Sequence, residues 1–275
     1  MRTILLGAAV GVSLSAVPAL AGPPMPVFAS HEAVYQMTLN SARMSGGVTG
    51  ASGRMVYRFA DTCDGWTVEN RTDITFVYAD DNPVSTTWEF ATWESKDGLR
   101  YRFRVRSVRD GAVSEEINGV ARLRGPGRGG EAKFTLPEAR TLALPKGTVF
   151  PTEHTRRLIE SAERGDRFFR RTVFDGTDAS GAFDVSAAIG RIRPANSNTS
   201  PALSKPKVDA ALLTAPSWPM QIAFFPLGKQ DTVPDYEISL RYYLNGVADE
   251  IVQSYGDFTL KGSLETLRSL PKPPC

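Results

Sequence analysis

The sequence has 275 residues, of which 41% are hydrophobic, and its 32 basic and 30 acidic side chains leave a formal net charge of +2. A charge this close to neutral gives no overall field that would attract nucleic acid or an anionic membrane, so we expect any partner to bind through local surface. The chain has two histidines, too few for a multi-histidine metal centre, and we expect neither a metal nor a cofactor.

The N-terminus has the three successive parts of a secretory signal peptide. The cation Arg2 precedes an apolar run from Ile4 to Leu14, and Ala19-Leu20-Ala21 forms an A-x-A cleavage site. An uncleaved membrane anchor is the alternative, but the apolar run is short for a bilayer span and is followed by Pro18. We therefore predict cleavage after Ala21 and export to the periplasm of a chain that does not span the membrane.

The two cysteines of the chain are Cys63 and the final residue, Cys275. Export permits disulfide formation, and two cysteines can pair in one way only. A redox pair or a metal site would need a C-x-x-C spacing or an adjoining histidine, which neither cysteine has. We favour a structural disulfide between Cys63 and Cys275 over these alternatives.

Downstream of the signal peptide, apolar and polar residues alternate with the period of two that is typical of β-strands. Aromatic and β-branched residues predict the first strands at Met55–Phe59, Trp66–Val68, Ile74–Tyr78 and Thr87–Phe90. Next, Lys96-Asp97-Gly98 and Arg109-Asp110-Gly111 predict hairpin turns on either side of the most regular strand. Among the aromatic residues of this region, Trp88, Trp93, Tyr101 and Phe103 could line a concave apolar surface or belong to the core.

The strand between the two turns has an apolar and a basic face. Its apolar residues are Tyr101, Phe103 and Val105, and its basic face, called the arginine row here, consists of Arg100, Arg102, Arg104 and Arg106. Guanidinium groups can hold the phosphate or carboxylate groups of an envelope ligand. Glu115 and Glu116 follow the turn and are placed for cross-strand pairing, so we favour a solvated face and retain the arginine row as a candidate partner surface.

Glycine recurs in the segment Gly125-Pro126-Gly127-Arg128-Gly129-Gly130, which satisfies G-x-G-x-x-G. A dinucleotide site requires a helix next, whereas Glu131–Pro137 has the pattern of a strand. We therefore interpret the glycine-rich segment as a hairpin tip.

One segment, Thr152–Arg164, breaks the β pattern and predicts a helix of about three turns. Leu158, Ile159 and Ala162 fall on one face, Thr152 is suited to be the N-cap, and Gly165 supplies the stop. A lone helix needs a partner for its apolar stripe, and we expect it to pack on the concave side of a strongly curved sheet.

His154 in this helix could act as a general base for a serine, but no G-x-S-x-G motif accompanies it. We favour a packed or hydrogen-bonded histidine.

The pattern returns to strand at Arg167–Phe174 and then becomes irregular between Pro194 and Pro219, which we interpret as a surface excursion within one domain. A final meander follows, with strands at Tyr236–Leu244, Val247–Tyr255 and Phe258–Leu267 and a turn at Asn245-Gly246.

The chain resembles the EipB family of bacterial cell-envelope integrity proteins. The resemblance is in the signal peptide, the strand Gly53–Tyr57, the segment Cys63-Asp64-Gly65-Trp66, the helix start Phe150–Thr155, the segment Phe174-Asp175-Gly176 and the terminal cysteine. It implies a periplasmic protein whose sheet winds into a spiral or half-barrel, with one helix and a disulfide between Cys63 and Cys275. The implied architecture is similar to carrier folds that hold lipoprotein acyl chains, an analogy that fixes no function. The family has no assigned catalytic residues to carry over.

These observations predict a mainly β, monomeric single domain over residues 22–275, built from a strongly curved antiparallel sheet with one helix packed on it. We predict a non-enzymatic periplasmic protein that maintains envelope integrity by binding an envelope protein or an apolar, lipid-like molecule. The alternatives are a lipid or lipoprotein carrier with a concave apolar groove and a hydrolase that uses His154.

Overall fold

The computed structural model describes residues 27–43, 47–79, 82–197, 199–228 and 233–275, so the predicted signal peptide and its cleavage site lie outside the described residues. These residues form a sheet of fourteen strands and one α-helix, α1, at Pro151–Glu163. The strands are β1 His31–Ala42, β2 Val48–Asp61, β3 Gly65–Tyr78, β4 Val84–Ser95, β5 Arg100–Arg109, β6 Ala112–Leu123, β7 Gly130–Leu136, β8 Arg140–Leu144, β9 Phe168–Val173, β10 Phe183–Ile189, β11 Ser217–Pro226, β12 Tyr236–Tyr243, β13 Ala248–Ser254 and β14 Phe258–Ser269.

The sheet consists of two antiparallel meanders, β1 to β8 and β9 to β14, joined side by side through the pairing of β1 with β14. It curls around the helix without closing into a barrel, and β8 and β9 are its edges. Only one parallel bridge, Val149 with Val173, joins the chain just after β8 to the end of β9 in the described residues. The predicted mainly β fold with a curved antiparallel sheet and one packed helix is confirmed.

Strand β3 is longer than the sequence pattern predicted. The predicted strands Trp66–Val68 and Ile74–Tyr78 are one continuous strand, paired along its length with β2 and β4. The polar residues 69–73 contain no glycine or proline, and the two that face inward, Asn70 and Thr72, border a cavity and not packed core. Their polarity hid the strand from a pattern that expects an apolar inner face.

Helix α1 packs on the concave face of the sheet through the predicted residues. Leu158 and Ile159 are fully buried, and together with Ala162 they contact side chains from both meanders. The N-cap prediction was wrong, because the helix begins at Pro151 and the N-cap position is Phe150. The side chain of Phe150 has no atom that can accept a hydrogen bond from the helix N-terminus. The stop is as predicted: Gly165 has a φ of +86°, and its N–H donates to the carbonyl of Ala162.

The apolar face of β5 packs in a second core next to the open edges. Tyr101 stacks on Phe150 at a ring-centroid distance of 4.9 Å, and Phe103 meets Phe174 edge to face at 5.4 Å. Phe150 and Phe174 directly follow Val149 and Val173, so the residues that bridge the two edges also lead into this core.

The segment 194–219 is less of a surface excursion than the sequence suggested. It includes two short 3₁₀ helices, Pro201–Ser204 and Ala210–Leu213, and its last three residues belong to β11. Leu213 and Trp218 are buried in the main core, and Val208 bridges to Leu267 of β14. This segment is anchored on the sheet by apolar residues. They are too widely spaced in the sequence to show a helical or strand period.

Candidate functional site

A cavity of about 700 Å³ lies between α1 and the concave face of the sheet. Its volume is within the usual range for small-molecule sites, about 300 to 1,000 Å³. Most of its lining is aliphatic or aromatic, and the residues come from both meanders; those from β12 to β14 are Tyr236, Ile238, Leu240, Tyr242, Ala248, Ile251, Gln253, Phe258 and Leu260. The helix that packs on the concave face therefore leaves a large part of it uncovered.

The wall formed by β3 and β4 has polar side chains that bear no charge. Asn70, Thr72, Thr86 and Thr92 border the cavity here. Thr86 donates to the carbonyl of Ile74 and Thr72 donates to the side chain of Asn70, so these hydroxyls are hydrogen-bonded within the sheet. Their second lone pairs remain available as acceptors.

Six aromatic side chains form a continuous chain of ring contacts along one edge of the cavity. This aromatic rim consists of Phe76, Phe258, Tyr255, Tyr236, Phe224 and Phe183, whose consecutive ring centroids are 5.2 to 6.1 Å apart. Its members lie near the ends of strands β3 and β10 to β14. Tyr255 is 44% exposed, whereas Phe183 is buried, so the rim passes from solvent into the cavity.

Toward the other ends of β2 and β3, aromatic residues and the disulfide lie close together. Phe28, Phe59 and Trp66 pack with ring centroids 5.1 to 6.1 Å apart, and the Nζ atom of Lys96 lies 3.1 Å from the Trp66 ring centroid. In the turn between β2 and β3, Cys63 forms a disulfide with Cys275, and their Cα atoms are 5.8 Å apart. The disulfide fixes the C-terminal segment to this turn.

The N-terminus of α1 is capped by a carboxylate from β4. Glu94 is buried, and its two oxygens accept hydrogen bonds from the backbone N–H groups of Thr152 at 2.7 Å and of Glu153 at 2.9 Å. Burial raises the pKa of Glu94 to about 7, although both hydrogen bonds favour the ionised form. This role of Glu94 was not predicted from the sequence, because the cap comes from a strand that is distant in the chain.

His154 borders the cavity from the first turn of α1. Its Nε2 atom is buried and has no hydrogen-bond partner among the described residues, so the imidazole is not aligned with a serine or threonine hydroxyl. Burial, with a smaller contribution from Arg171, lowers its pKa to about 4, and the imidazole is therefore neutral at pH 7. Its ring centroid is 5.5 Å from that of Phe169 on β9.

The arginine row lies on the outer face of the sheet, away from the cavity. Arg100, Arg102 and Arg104 are exposed and Arg106 is half-buried, which confirms the predicted alternation. Arg106 pairs with Glu116 at 3.3 Å and with Glu89 at 3.7 Å, whereas Glu115 lies opposite Ser107 and forms no ion pair with a described residue.

The aromatic residues that the sequence left open divide between core, surface and cavity. Trp88 borders the cavity, whereas Tyr101 and Phe103 belong to the second core. Trp93 lies on the outer face, beneath the guanidinium groups of Arg100 and Arg102 at 5.5 and 5.0 Å.

The glycine-rich segment 125–130 connects β6 to β7, as expected for a hairpin tip. Across the described ranges, no three His, Cys, Asp or Glu side chains come together as a metal site. The described residues also include no helix that is long and apolar enough to cross a membrane.

Comparisons with known proteins extend over nearly all of the described chain. The family model described as EipB-like matches residues 23–271. The cell envelope integrity protein EipB of Brucella abortus (strain 2308) is 33% identical over 243 residues, which cover 86% of this chain and 82% of the relative. The crystal structure of a beta-barrel-like protein of domain of unknown function DUF1849 from Brucella abortus superimposes with a TM-score of 0.79 at 29% identity, covering 89% of this chain and 99% of that one. The chain belongs to the EipB-like family.

Proposed function

We propose that this protein supports cell-envelope integrity in the periplasm, without catalysing a reaction, by binding an apolar envelope molecule in the cavity between α1 and the sheet. The observation that carries the proposal is the cavity itself, about 700 Å³ of mainly aliphatic and aromatic lining that the helix does not fill. A protein that needed only a stable scaffold would bury these side chains against each other, since apolar surface left uncovered forgoes about 25 cal/mol per Å². The name of the Brucella relative supports the envelope role.

Binding of a lipid-like molecule brings the carrier alternative and the integrity role together. The aromatic rim offers partly exposed rings at the cavity edge, where an apolar chain would first contact the protein. The hydrolase alternative has less support, because Nε2 of His154 is not hydrogen-bonded to a described hydroxyl.

The test uses two tryptophan substitutions at neighbouring residues of β3. Val68 borders the cavity, whereas Thr67 alternates to the other face of the strand, so Val68→Trp places an indole ring in the cavity and Thr67→Trp places the same ring outside it. We expect the uncharged fluorescent probe N-phenyl-1-naphthylamine to bind the wild-type protein and the Thr67 variant, and to bind the Val68 variant at least about tenfold more weakly. Thermal unfolding checks that both variants are folded.

The same variants test the envelope role in a deletion strain under detergent stress. Survival should be restored by Thr67→Trp and not by Val68→Trp when both proteins reach normal abundance. Full restoration by a folded Val68→Trp protein that no longer binds the probe would contradict a role for the cavity.

The arginine row carries a second candidate function, a partner surface for an acidic envelope protein. Arg102 and Arg104 are exposed and form no ion pair among the described residues, and Arg102 stacks on Trp93. Alanine substitutions at Arg102 and Arg104 should then reduce survival under detergent stress while leaving probe binding and protein abundance unchanged. Normal survival of these variants would show that the arginine row is a solvated face and not a partner surface.

A further inference from the structure

The ionisable side chains of the described cavity lining include carboxylates but no lysine or arginine. Two of the described residues that border the cavity, Asp175 and Asp235, are acidic. Asp175 is half-buried, its pKa is raised by desolvation, and its carboxylate accepts hydrogen bonds from the backbone N–H and the hydroxyl of Thr177. An anion in apolar surroundings is strongly disfavoured unless a cation pairs with it, and the described lining supplies no such cation.

The two histidines of the lining do not supply a positive charge at pH 7 either. Burial lowers the pKa of His154 to about 4, and it also lowers the pKa of His31, whose Nδ1 atom lies 2.7 Å from the carbonyl oxygen of Ala29. Arg171 lies near enough to His154 to lower its pKa further, but Arg171 is exposed on β9 and does not border the cavity.

Neutral hydrogen-bonding groups are nevertheless present in the lining. His154 borders the cavity with a buried Nε2 atom that has no partner among the described residues. Thr155, the next residue of α1, and Tyr242 of β12 also border the cavity, and the hydroxyl of Thr155 donates to the carbonyl of Pro151. Polar groups in protein interiors are nearly always hydrogen-bonded, so the unpartnered Nε2 atom leaves His154, a residue of the cavity lining, with hydrogen-bonding capacity that the described protein groups do not use.

We infer that the cavity selects uncharged amphiphiles, whose hydrocarbon chain lies on the apolar wall while a neutral hydroxyl or amide group bonds to His154. The inference rests on the proposed function, because it specifies the chemical class of the molecule bound there. Ligands with a phosphate or carboxylate at that position are excluded, because the charge would be buried in a cavity whose described lining contains acidic side chains and no lysine or arginine.

Two lipids that differ only in the phosphate provide the test. Monolauroylglycerol and lauroyl lysophosphatidate share the glycerol and the acyl chain, and each is used below its micelle concentration to displace N-phenyl-1-naphthylamine from the wild-type protein. We expect the uncharged lipid to displace the probe at a concentration at least about tenfold lower. Equal displacement, or tighter binding of the lysophosphatidate, would overturn the inference while the proposed function survives. If neither the probe nor the lipids bind, the proposed function fails and this inference fails with it.

Substitutions locate the selectivity within the cavity. His154→Phe keeps an aromatic ring and removes the hydrogen bond, so monolauroylglycerol should bind about tenfold more weakly while the affinity for the probe changes by less than about twofold. Gln253→Lys places a cation in the lining, and Gln221→Lys places the same cation on the exposed side of β11. Lysophosphatidate should gain at least about tenfold in affinity in the Gln253 variant and not in the Gln221 variant. Equal lipid affinities in the folded wild-type, His154→Phe and Gln253→Lys proteins would show that the polar group lies outside the cavity.

Discussion

The carboxylate of Glu94 on β4 accepts a hydrogen bond from the backbone N–H of Thr152 at 2.7 Å, although the two residues are 58 positions apart in the chain. A strand of the first meander thereby caps the helix that packs against both meanders. The start of α1, and with it His154, is held in place by tertiary structure and not by a local capping motif.

The buried Glu94 makes stability depend on pH. Its pKa rises from 4.5 to about 7 in the folded protein, so between these values the folded state binds a proton that the unfolded state has lost. The contribution of Glu94 to the free energy of unfolding should therefore fall as pH rises from 4.5 to about 7, and Glu94→Gln should abolish this contribution. Urea unfolding at a series of pH values measures it, with the exposed Glu69→Gln as the control that keeps the wild-type profile.

His154 produces a pH dependence of the opposite sign. Its pKa falls from 6.5 to about 4 on folding, so in this window the unfolded state binds the extra proton, and the contribution of His154 to the free energy of unfolding should decrease as pH falls from 6.5 to 4. His154→Phe should flatten this acid-side loss, whereas Glu94→Gln should leave it steeper than in the wild type. Profiles that run parallel in all three proteins would show that neither group titrates as its burial requires.

The apolar face of α1 should tolerate truncation poorly. Leu158→Ala removes a fully buried side chain and should cost about 2 to 5 kcal/mol of unfolding free energy, because the vacated volume lies in a packed interior. Glu160→Ala, which removes a side chain that pairs with Arg156 on the helix surface, should cost less than about 0.5 kcal/mol. Similar losses at the two positions, measured by urea unfolding, would show that the wrong face was assigned to the core.

The buried ion pair between Arg241 and Asp249 should be among the most sensitive polar interactions. The Nε atom of Arg241 donates to Asp249 at 2.7 Å, and Ser200 and Thr199 bond to the pair from the segment before β11. Asp249→Asn leaves a buried guanidinium without its main counterion and should cost about 3 to 5 kcal/mol in urea unfolding.

An exposed pair in the second meander is the control for that measurement. Asp184→Asn removes the partner of Arg170, whose side chain is 72% exposed, and should cost less than about 1 kcal/mol. A loss at Asp249 no larger than the loss at Asp184 would show that the buried pair contributes no more than a surface one.

Reduction of the disulfide should lower the melting temperature without reducing the strand content. Cys63 and Cys275 are separated by 212 positions, and closing a loop of that length in the unfolded chain stabilises the fold by up to about 5 kcal/mol in the chain-entropy model. Thiol counting by mass spectrometry on the non-reduced protein should find no free thiol, and circular dichroism follows the melting before and after reduction. Two free thiols in the exported protein would contradict the pairing.

The elements predicted from sequence are those whose evidence is local. The turn at Asn245-Gly246, the alternating β5 and the apolar stripe of α1 follow from the chemistry of a few consecutive residues, and the structure confirms them. Strand β3 was divided in the prediction because Asn70 and Thr72 face a cavity, an environment that no short sequence window reveals.

The candidate site could not be assembled from sequence for the same reason. Its walls come from strands at both ends of the chain, which the pairing of β1 with β14 brings together. The start of α1 is held at these walls by its capping contact with Glu94. The sequence drew attention to His154 for its rarity, and it favoured a packed or hydrogen-bonded histidine over a general base. Its neutral state follows from burial, which only the fold supplies.

The single bridge between Val149 and Val173 gives the sheet the mechanics of a split ring. A closed barrel fixes its diameter through an unbroken circle of strand pairing, so widening it requires ladder hydrogen bonds to break. Here the gap between β8 and β9 can widen at the cost of the two backbone hydrogen bonds at Val149 and of some packing of Phe150 and Phe174 in the second core, while each of the other strand pairs stays intact. The proposed binding cavity can then accommodate apolar ligands of different thickness, because the gap between β8 and β9 widens for the larger ones.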